Sequence, residues 1–548
     1  MNNSKTIWLA SSVLLVGLGS ASLWGGGLGE PVLSRGGVGA LPTITSLRLP
    51  VGGATNVSVE WSGIGGPFQV ESKQSFPGAT WQPVGAPTFS FSSTFGVHEG
   101  TAFFRVSTPP PRFAGADTCK KCHAGSHEEW ATTAHAGALG TLKAVGMDKN
   151  ASCLPCHTVG FGVSTGFIDE AKTPQLAGVQ CENCHGAGAD HASDPFGVVP
   201  PVLRPQAEMC GGCHSEVHHP TYEEWKTSKH SVVTPDVAAN LRDPVNGVAR
   251  MKACGVCHSG AVRSAVVENV VEGVPLVFPD GETAATSPIA CVTCHDPHSK
   301  TANNAQLWYP TVSHEPYSYS TSATNTFAAQ FNPAINVCGQ CHNMRGAAWS
   351  DTSRSPHHSP QYNILIGVGG VESTGVAAAP PQASHRNNEK QCAGCHTHPH
   401  PAASPSEATP NYMGHDFVAH TTSCVPCHDS ELAALLIEST QSDLTDRINL
   451  VKGMLDKWAS TKAPDALRAK YSSLAWEYTT IGDLSTPTAT VKTGPTASEQ
   501  NAVPDGIKQA RYNLYLVAHD GSLGVHNGKY TRYLLEVAET KVTAELAK

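Results

Sequence analysis

Charged residues are scarce in this chain of 548 residues, at 15%, and aromatic residues reach only 7%. Glycine (52 residues) and proline (39 residues) are plentiful, so the polypeptide alone would form a weak hydrophobic core. The formal net charge is −9 and no basic stretch occurs, which argues against a nucleic-acid partner. Beyond the N-terminal segment, no apolar run is long enough for a transmembrane helix. These shortages indicate a chain whose core needs a further apolar component.

The N-terminal segment has the features of a secretory signal peptide, which we place at residues 1–24. Lys5 supplies positive charge, the twelve residues 7–18 are apolar, and small residues follow at 19–22. Twelve apolar residues are few for a bilayer span, and an uncleaved anchor is the alternative interpretation. We therefore expect a periplasmic or extracellular (secreted) protein.

Cysteine is absent outside one repeated pattern, because all 18 cysteines belong to nine Cys-x-x-Cys-His motifs. This motif is the attachment signal for c-type haem: the two thiols bind the porphyrin and the imidazole binds its iron. The motifs, numbered 1 to 9 along the chain, predict covalent haem attachment at Cys119, Cys122, Cys153, Cys156, Cys181, Cys184, Cys210, Cys213, Cys254, Cys257, Cys291, Cys294, Cys338, Cys341, Cys392, Cys395, Cys424 and Cys427. The predicted proximal iron ligands are His123, His157, His185, His214, His258, His295, His342, His396 and His428.

Other uses of cysteine explain this pattern less well. A disulfide framework gives no reason for a histidine after each pair. Structural zinc needs two cysteine pairs per ion and makes no demand on the next residue. Thioredoxin-like pairs occur once per domain, within a βαβ pattern that we do not find here. The sequence therefore predicts nine covalently attached haems c, which would supply the missing apolar core.

We expect a mixed fold: an N-terminal small β-sandwich, a mostly α and loop multihaem domain with little sheet, and a C-terminal helical region. Short alternating segments between Gly and Pro predict an immunoglobulin-like β module at 41–108; an irregular leader is the alternative. All nine motifs lie within 112–428. In 429–548, apolar residues at three- and four-residue steps predict helices that pack on the haem domain. That stripe consists of Leu432, Leu435, Leu436, Ile448, Val451, Leu455 and Trp458.

The spacing of the motifs predicts closely neighbouring haems, because successive first cysteines are only 28 to 54 residues apart. Methionine is rare and histidine abundant, with 7 and 27 residues, which favours bis-histidine, low-potential iron. The distal ligands that local context predicts are His135, His191, His230, His298, His357, His385, His415 and His526. The ninth stays open among His127, His219, His314, His358, His398, His400 and His420.

Residues 116–230 resemble the tetrahaem cytochrome that accepts electrons from hydroxylamine oxidoreductase, through "CKKCHAGSHEEWATTAHA", "GVQCENCHGAGADH" and "CGGCHSEVHHPTYEEWKTSKHS". "ACVTCHDPH" and "SPHHSPQYNILIG" are similar to larger multihaem cytochromes of the same superfamily. The C-terminal helices with "GSLGVHN" resemble the helical ends of pentahaem nitrite reductases and hydroxylamine oxidoreductase. The resemblance implies haems stacked in parallel and perpendicular pairs, mostly with bis-histidine iron.

Two functions follow. The first is electron transfer through a chain of haems, with a quinone-linked membrane complex or other cytochromes as redox partners; the β module would dock a partner, and self-association stays open. No catalytic residue is assigned in this case.

The alternative is an oxidoreductase acting on a small nitrogen or sulfur oxyanion, of the nitrite, hydroxylamine or tetrathionate type. It requires an iron with an open position and polar side chains beside it, for which Arg345 and Arg354 are candidates. The Cys-x-x-Cys-Lys motif of the related nitrite reductases does not occur. No counterpart of the cross-linking tyrosine of hydroxylamine oxidoreductase is identified among Tyr309, Tyr317, Tyr319 and Tyr412. These departures favour electron transfer.

Overall fold

The structure is a computed structural model, and it consists of two compact units. The first comprises Met1–Ser215 with Asp296–Lys300, and the second comprises Glu216–His295 with Thr301–Lys548. The described residues are 8–9, 43–48, 56–62, 68–73, 82–85, 92–96, 103–107, 111–196, 206–268, 275–300, 304–307, 337–373, 381–388, 390–425 and 427–548.

Small sheets form the N-terminal part of the first unit. The strands are β1 (Trp8–Leu9), β2 (Thr43–Arg48), β3 (Asn56–Ser62), β4 (Gln69–Lys73), β5 (Gln82–Pro83), β6 (Ser92–Gly96) and β7 (Phe103–Ser107). One sheet has the order β1-β7-β4-β5 and the other the order β2-β3-β6. All pairings are antiparallel except β1 with β7, and β1 lies in the segment predicted as a signal peptide.

The two sheets share one apolar core. Alternate residues of β3 are buried because side chains along a strand point to opposite faces. Val57, Val59 and Trp61 of β3 cluster with Val70 of β4 and Phe104 of β7. The predicted β module is therefore present as small antiparallel sheets, whereas its immunoglobulin-like classification stays a prediction.

The haem-motif region contains short helices joined by loops and turns, as expected. Its α-helices are Ala116–Lys120, Ala124–Trp130, Ala138–Ala144, Leu154–His157, Cys181–His185, Ala189–Ser193, Ala207–Gly211, Thr221–Thr227, Pro235–Leu241, Gly247–Arg250, Val256–His258, Gly260–Arg263, Gly281–Thr286, Cys291–Cys294, Gln361–Ile366 and Gln391–His396. The π-helical turns are Met251–Gly255 and Ser264–Glu268. The 3₁₀ turns are Pro174–Leu176, Lys229–Ser231, Asn304–Gln306, Ser384–Asn387 and Thr421–Cys424.

The C-terminal region is helical and contains the largest apolar core. Its α-helices are Ser430–Thr461, Asp465–Tyr471, Asp505–Asp520 and Gly528–Ala547, with 3₁₀ turns at Ser472–Leu474 and Glu499–Ala502. The 32-residue helix begins at Asp429, whose carboxylate accepts hydrogen bonds from two N–H groups of the first turn. No helix in the described part of the chain is long and apolar enough to cross a membrane.

The apolar stripe of the longest helix is buried only in its second part. Ile448, Val451, Leu455 and Trp458 lie in the core, together with Leu444. Leu432, Leu435 and Leu436 are instead exposed by 44–61%, and their packing on the haem domain stays a prediction. Close packing near the final helix begins further along, where Gly524 approaches Thr440 and Leu444.

A buried arginine links the segments around this core. Arg511 is fully buried, and its guanidinium donates to the carbonyl oxygens of Trp476 and Glu477, each at 2.8 Å. It also donates to Gln500 Oε1 at 3.0 Å and lies 4.0 Å from the centroid of the Tyr478 ring. These acceptors compensate for the loss of hydration that burial of the cation entails.

Truncation of the C-terminal core should destabilise the second unit. Leu534 is fully buried, so Leu534→Ala removes apolar contacts and leaves a cavity. We expect a loss of about 2–5 kcal/mol, measured as a lower midpoint of chemical denaturation by far-ultraviolet circular dichroism. Leu450→Ala is the control because Leu450 is 50% exposed, and equal midpoints for the two variants would contradict this account of the core.

Candidate haem sites

Each motif lies at a short helical turn or beside one, and in at least five motifs a backbone hydrogen bond spans the motif. The histidine N–H donates to the carbonyl of the first cysteine, four residues earlier, at 2.8–2.9 Å. This α-type turn holds the two thiols near the imidazole, as haem attachment requires. The five histidines are His123, His214, His295, His342 and His428. None of the 18 cysteines forms a disulfide, as thioether attachment of porphyrin requires.

Seven motif histidines face a second imidazole across a gap of similar width. The ring centroids are 6.0–6.3 Å apart. A metal–imidazole bond is about 2.0–2.1 Å, so two imidazoles on opposite sides of one ion have centroids about 6.3 Å apart. The pairs are His214–His135, His185–His298, His342–His230, His258–His357, His295–His415, His428–His385 and His396–His526. This spacing fits the two axial ligands of one haem iron.

The outer ring nitrogen of many of the motif and opposed histidines already has a protein partner. Nδ1 donates to a backbone carbonyl at 2.6–3.1 Å in His157, His295, His385, His396 and His415. His342 and His357 instead contact Gln361 Oε1 and Ser359 Oγ, at 3.3 and 3.1 Å. A hydrogen bond at Nδ1 fixes the ring and leaves Nε2 as the ligand atom, which is the usual arrangement at metal sites.

Burial favours the neutral form of seven of these fourteen imidazoles. It lowers the pKa of His230 and of His357 to about 4, with nearby positive groups adding to the effect. Burial likewise lowers the pKa of His135, His258, His295, His396 and His415. Iron binds neutral imidazole, so the environment keeps these side chains ready for coordination near pH 7.

His526 differs because its partner is a carboxylate. Its Nδ1 donates to Asp520 Oδ1 at 2.6 Å, and Asp520 is 2% exposed. Burial lowers the pKa of His526 and the Asp520 charge raises it, with a net increase. A carboxylate on the outer nitrogen makes an imidazole a more basic ligand.

The cysteine sulfurs place several motifs next to one another. In the first unit Cys119 contacts Cys181, and Cys156 contacts Cys213. Motif 1 therefore neighbours motif 3, and motif 2 neighbours motif 4. In the second unit, motif 7 contacts motif 5 and motif 8 through the pairs Cys257–Cys341 and Cys338–Cys392. Contacts between motifs are the arrangement that closely neighbouring haems require.

The repeated sequence "EEWATTAH" and "EEWKTSKH" forms the same local structure twice. Trp130 donates its indole N–H to the Val179 carbonyl at 3.0 Å, and His135 O accepts from Val179 N. Val179 lies two residues before motif 3.

In the second copy, the indole of Trp225 donates to the Ile289 carbonyl at 2.9 Å, and His230 O accepts from Ile289 N. Ile289 lies two residues before motif 6. His135 and His230 face motifs 4 and 7, so the same structure recurs three motifs later. The sulfur contacts recur in the same way, from motifs 2 and 4 to motifs 5 and 7.

Two motif histidines, His123 and His157, have no opposed imidazole at this distance among the described residues. The predicted distal ligand His191 is likewise not opposite a described motif histidine, and its buried Nδ1 has no hydrogen-bond partner in the described chain. Seven of the eight predicted distal histidines are therefore brought opposite a motif histidine.

The candidates for the ninth distal ligand lie in different surroundings. His127 faces Asp117 at 3.6 Å, and His358 stacks on His519 at 3.9 Å. The rings of His400 and His420 are 6.0 Å apart, with Tyr412 at 4.3 and 4.8 Å, so the spacing alone does not mark a haem site. His314, Tyr309, Tyr317 and Tyr319 lie outside the described residues. His219 and His398 stay candidates for the ninth ligand.

The two arginines proposed to line a pocket both influence His357. Their charges lower the pKa of that imidazole, after the larger effect of burial. Arg345 also donates to the Ala253 carbonyl, and Arg354 is exposed. His357 already faces the motif histidine His258. The contact with His357 therefore does not place either arginine beside a motif histidine that lacks an opposed imidazole.

Two glutamates were not identified from the sequence. Glu182, inside motif 3, is 5% exposed and accepts from the N–H groups of Ala114, Gly115 and Gly188 at 2.7–3.1 Å. Glu224 accepts from Met413 N and His415 N at 2.7 and 2.8 Å, and so holds a loop with a predicted ligand. The only signal that the sequence offers for these two glutamates is their position beside the motifs.

Comparison with known proteins gives matches to multihaem c-type cytochromes. Residues 118–186, which contain motifs 1 to 3, match the family of cytochrome c554 and c-prime. Cytochrome c-554 of Nitrosomonas europaea is 34% identical over 97 residues, covering 15% of this chain and 41% of that protein. The C-type polyheme cytochrome OmcB of Geobacter sulfurreducens is 24% identical over 378 residues, covering 60% and 44%. Multiheme cytochrome MtrA of Shewanella baltica is 28% identical over 188 residues, covering 30% and 51%.

The chain thus spans about half or less of the length of these relatives. Among solved structures, the outer cell wall cytochrome OcwA has 18% identity and a TM-score of 0.48, with 78% of this chain and 99% of that chain covered. The undecaheme cytochrome from the S-layer of Carboxydothermus ferrireducens has 19% identity and a TM-score of 0.46, with 80% and 70% covered.

The cytochrome c554 resemblance expected from the sequence is supported, whereas that to nitrite reductases is distant, with a TM-score of 0.26 for the Desulfovibrio desulfuricans enzyme. The sequence relatives support haem and iron binding by a multihaem c-type cytochrome, and a role in electron transfer.

Neutralisation of Asp520 should raise the potential of one haem. In Asp520→Asn, His526 loses its anionic partner and becomes a weaker donor to ferric iron. We expect an upward shift on the order of tens of millivolts, since about 59 mV corresponds to a tenfold change for one electron. Spectroelectrochemical titration measures it. Asp505→Asn, an exposed position on the same helix, is the control, and equal titration curves for both variants would refute the role of Asp520.

Proposed function

We propose that this chain is a nine-haem c-type cytochrome that transfers electrons in the periplasm or at the cell surface. Nine motifs supply the attachment sites, and each covalently bound haem would supply one iron that accepts and releases a single electron. The proposed axial ligands are the seven opposed pairs, with His123 and His157 as the proximal ligands of the two remaining haems. His191 remains the proposed distal ligand for one of these two.

The observation that carries this proposal is the pairing of motif histidines with a second imidazole. An iron with six ligands has no position for a substrate, so its chemistry is limited to gain and loss of electrons. Two neutral imidazoles favour a low potential, and the scarcity of methionine agrees with this. The contacts between motifs within each unit support electron transfer between adjacent haems.

The remaining parts of the proposal concern partners. Redox partners would be a quinone-linked membrane complex or other cytochromes, with the β module as a docking element of immunoglobulin-like type. The relatives OmcB and MtrA are named as polyhaem or multihaem cytochromes, which agrees with this class of partner.

The distal role of His230 provides a direct test. Mature protein should contain nine haems per chain, by mass and by haem quantification. In His230→Met, one haem should lose its bis-histidine low-spin signal in electron paramagnetic resonance. The potential of that haem should rise, by a fraction of the about 0.8 V range that axial ligands control.

His218→Met is the matched control, because His218 is exposed and does not face a motif imidazole in the described chain. It should retain the parent signals and potentials. An unchanged His230→Met spectrum, or a mature chain with fewer than nine haems, would count against the proposal.

A second function is favoured by one observation. No imidazole of the described residues faces His157, whose Nδ1 is nevertheless held by the Ala138 carbonyl at 2.7 Å. A haem there with an open position could act on nitrite, hydroxylamine or a similar small molecule.

Carbon monoxide distinguishes the two functions, because it binds ferrous haem only at an open position. We expect the reduced protein to bind carbon monoxide at no more than two of its haems, by difference absorption spectroscopy. Binding together with nitrite or hydroxylamine turnover would support the enzyme. If no haem binds carbon monoxide, the enzyme is excluded and electron transfer remains.

A further inference from the structure

A second group of metal-ligating side chains lies in the C-terminal half of the chain, outside all nine motifs. It consists of His358, Asp483 and His519, and we refer to it as the His-Asp-His cluster. His519 Nε2 is 2.8 Å from Asp483 Oδ1, and His358 Nδ1 is 3.9 Å from Asp483 Oδ2. One ligand atom from each side chain lies within 4.8 Å of the others. The carboxylate therefore lies between two imidazole nitrogens.

His519 is held in the orientation of a metal ligand. Its side chain is 2% exposed, and its Nδ1 donates to the Pro356 carbonyl at 2.6 Å. Because this hydrogen bond occupies the outer nitrogen, Nε2 faces Asp483 with a lone pair or a proton. A backbone carbonyl on the outer nitrogen is the usual second contact of a metal-bound histidine.

The other two side chains are open to solvent. His358 stacks on His519 with centroids 3.9 Å apart, and the side chains of His358 and Asp483 are 62% and 56% exposed. An ion can therefore reach the cluster from water, and the two exposed side chains can turn by the small amount that coordination needs.

We propose that the His-Asp-His cluster binds one divalent first-row transition metal ion, of the Zn²⁺ class. Two imidazoles and one carboxylate match the ligand preference of such ions and leave at least one position for water. Ca²⁺ and Mg²⁺ favour sites made entirely of oxygen, so they should compete poorly. The ion would replace the proton between His519 and Asp483.

The site lies next to one proposed haem ligand but does not include it. His358 follows His357, whose ring is 6.3 Å away and faces His258. Among the described residues, none of the three cluster side chains faces a motif histidine. Zinc has no redox change, so its binding can be measured without interference from electron transfer. Failure of this proposal would therefore leave the haem assignments unaffected.

Zinc content is the measurement. Holoprotein without a histidine tag is stripped with a chelator, dialysed against Zn²⁺ at micromolar concentration and analysed by mass spectrometry of the elements. The wild type should retain one zinc more per chain than Asp483→Asn or His358→Ala, in which affinity should fall by about tenfold or more. Excess Ca²⁺ should not displace this zinc.

His218→Ala is the control, because His218 is an exposed histidine outside the cluster and is not among the predicted haem ligands. It should retain the wild-type zinc content. Asp483 and His358 are exposed, and an unchanged haem absorption spectrum verifies that their variants fold. Equal zinc content in the wild type and both cluster variants, or a wild type that retains no zinc, would overturn the proposal.

Discussion

The opposition of two imidazoles across a fixed gap is the constraint on which the rest of this structure depends. Two imidazoles on opposite sides of one metal ion have ring centroids about 6.3 Å apart, so a gap of this width leaves room for one ion between the rings. Here the gap recurs seven times with nearly the same width, and each time one ring belongs to a Cys-x-x-Cys-His motif. The short helices and loops around the motifs serve to hold these rings in place.

The interactions that hold the imidazole rings in place differ along the chain. Around the motifs, polar contacts are prominent: Glu182 of motif 3 binds the segment before motif 1 and Gly188 after motif 3, and Glu224 holds the loop of His415. In the C-terminal region, three helices enclose a continuous apolar core, and Asp520 and Asn527 extend from them towards the neighbouring loops. The helical region therefore supplies both rigidity and ligand contacts, which a chain with few aromatic residues could not obtain from loops alone.

The repeated tryptophan–histidine structure uses the same hydrogen bonds at two places in the chain. In both copies the indole N–H and the histidine carbonyl bind the same backbone residue two positions before a motif. A single segment thus holds a predicted distal ligand and contacts the backbone just before motif 3 in one copy and motif 6 in the other. The repeat itself can be read from the sequence. Its structural role cannot, because it depends on the backbone of Val179 and Ile289, whose side chains are not distinctive.

The sequence by itself determined the attachment chemistry and the identity of the motif histidines, because these depend on covalent neighbours within five residues. It also indicated the residue type of the distal ligands, since histidine is abundant and methionine rare. Only the tertiary structure decided the pairings. His298 follows motif 6 in the sequence but faces His185 of motif 3, and His135 follows motif 1 but faces His214 of motif 4. The buried Asp520, the His-Asp-His cluster and the exposed start of the long helix likewise depend on which distant segments meet, and local patterns do not contain that information.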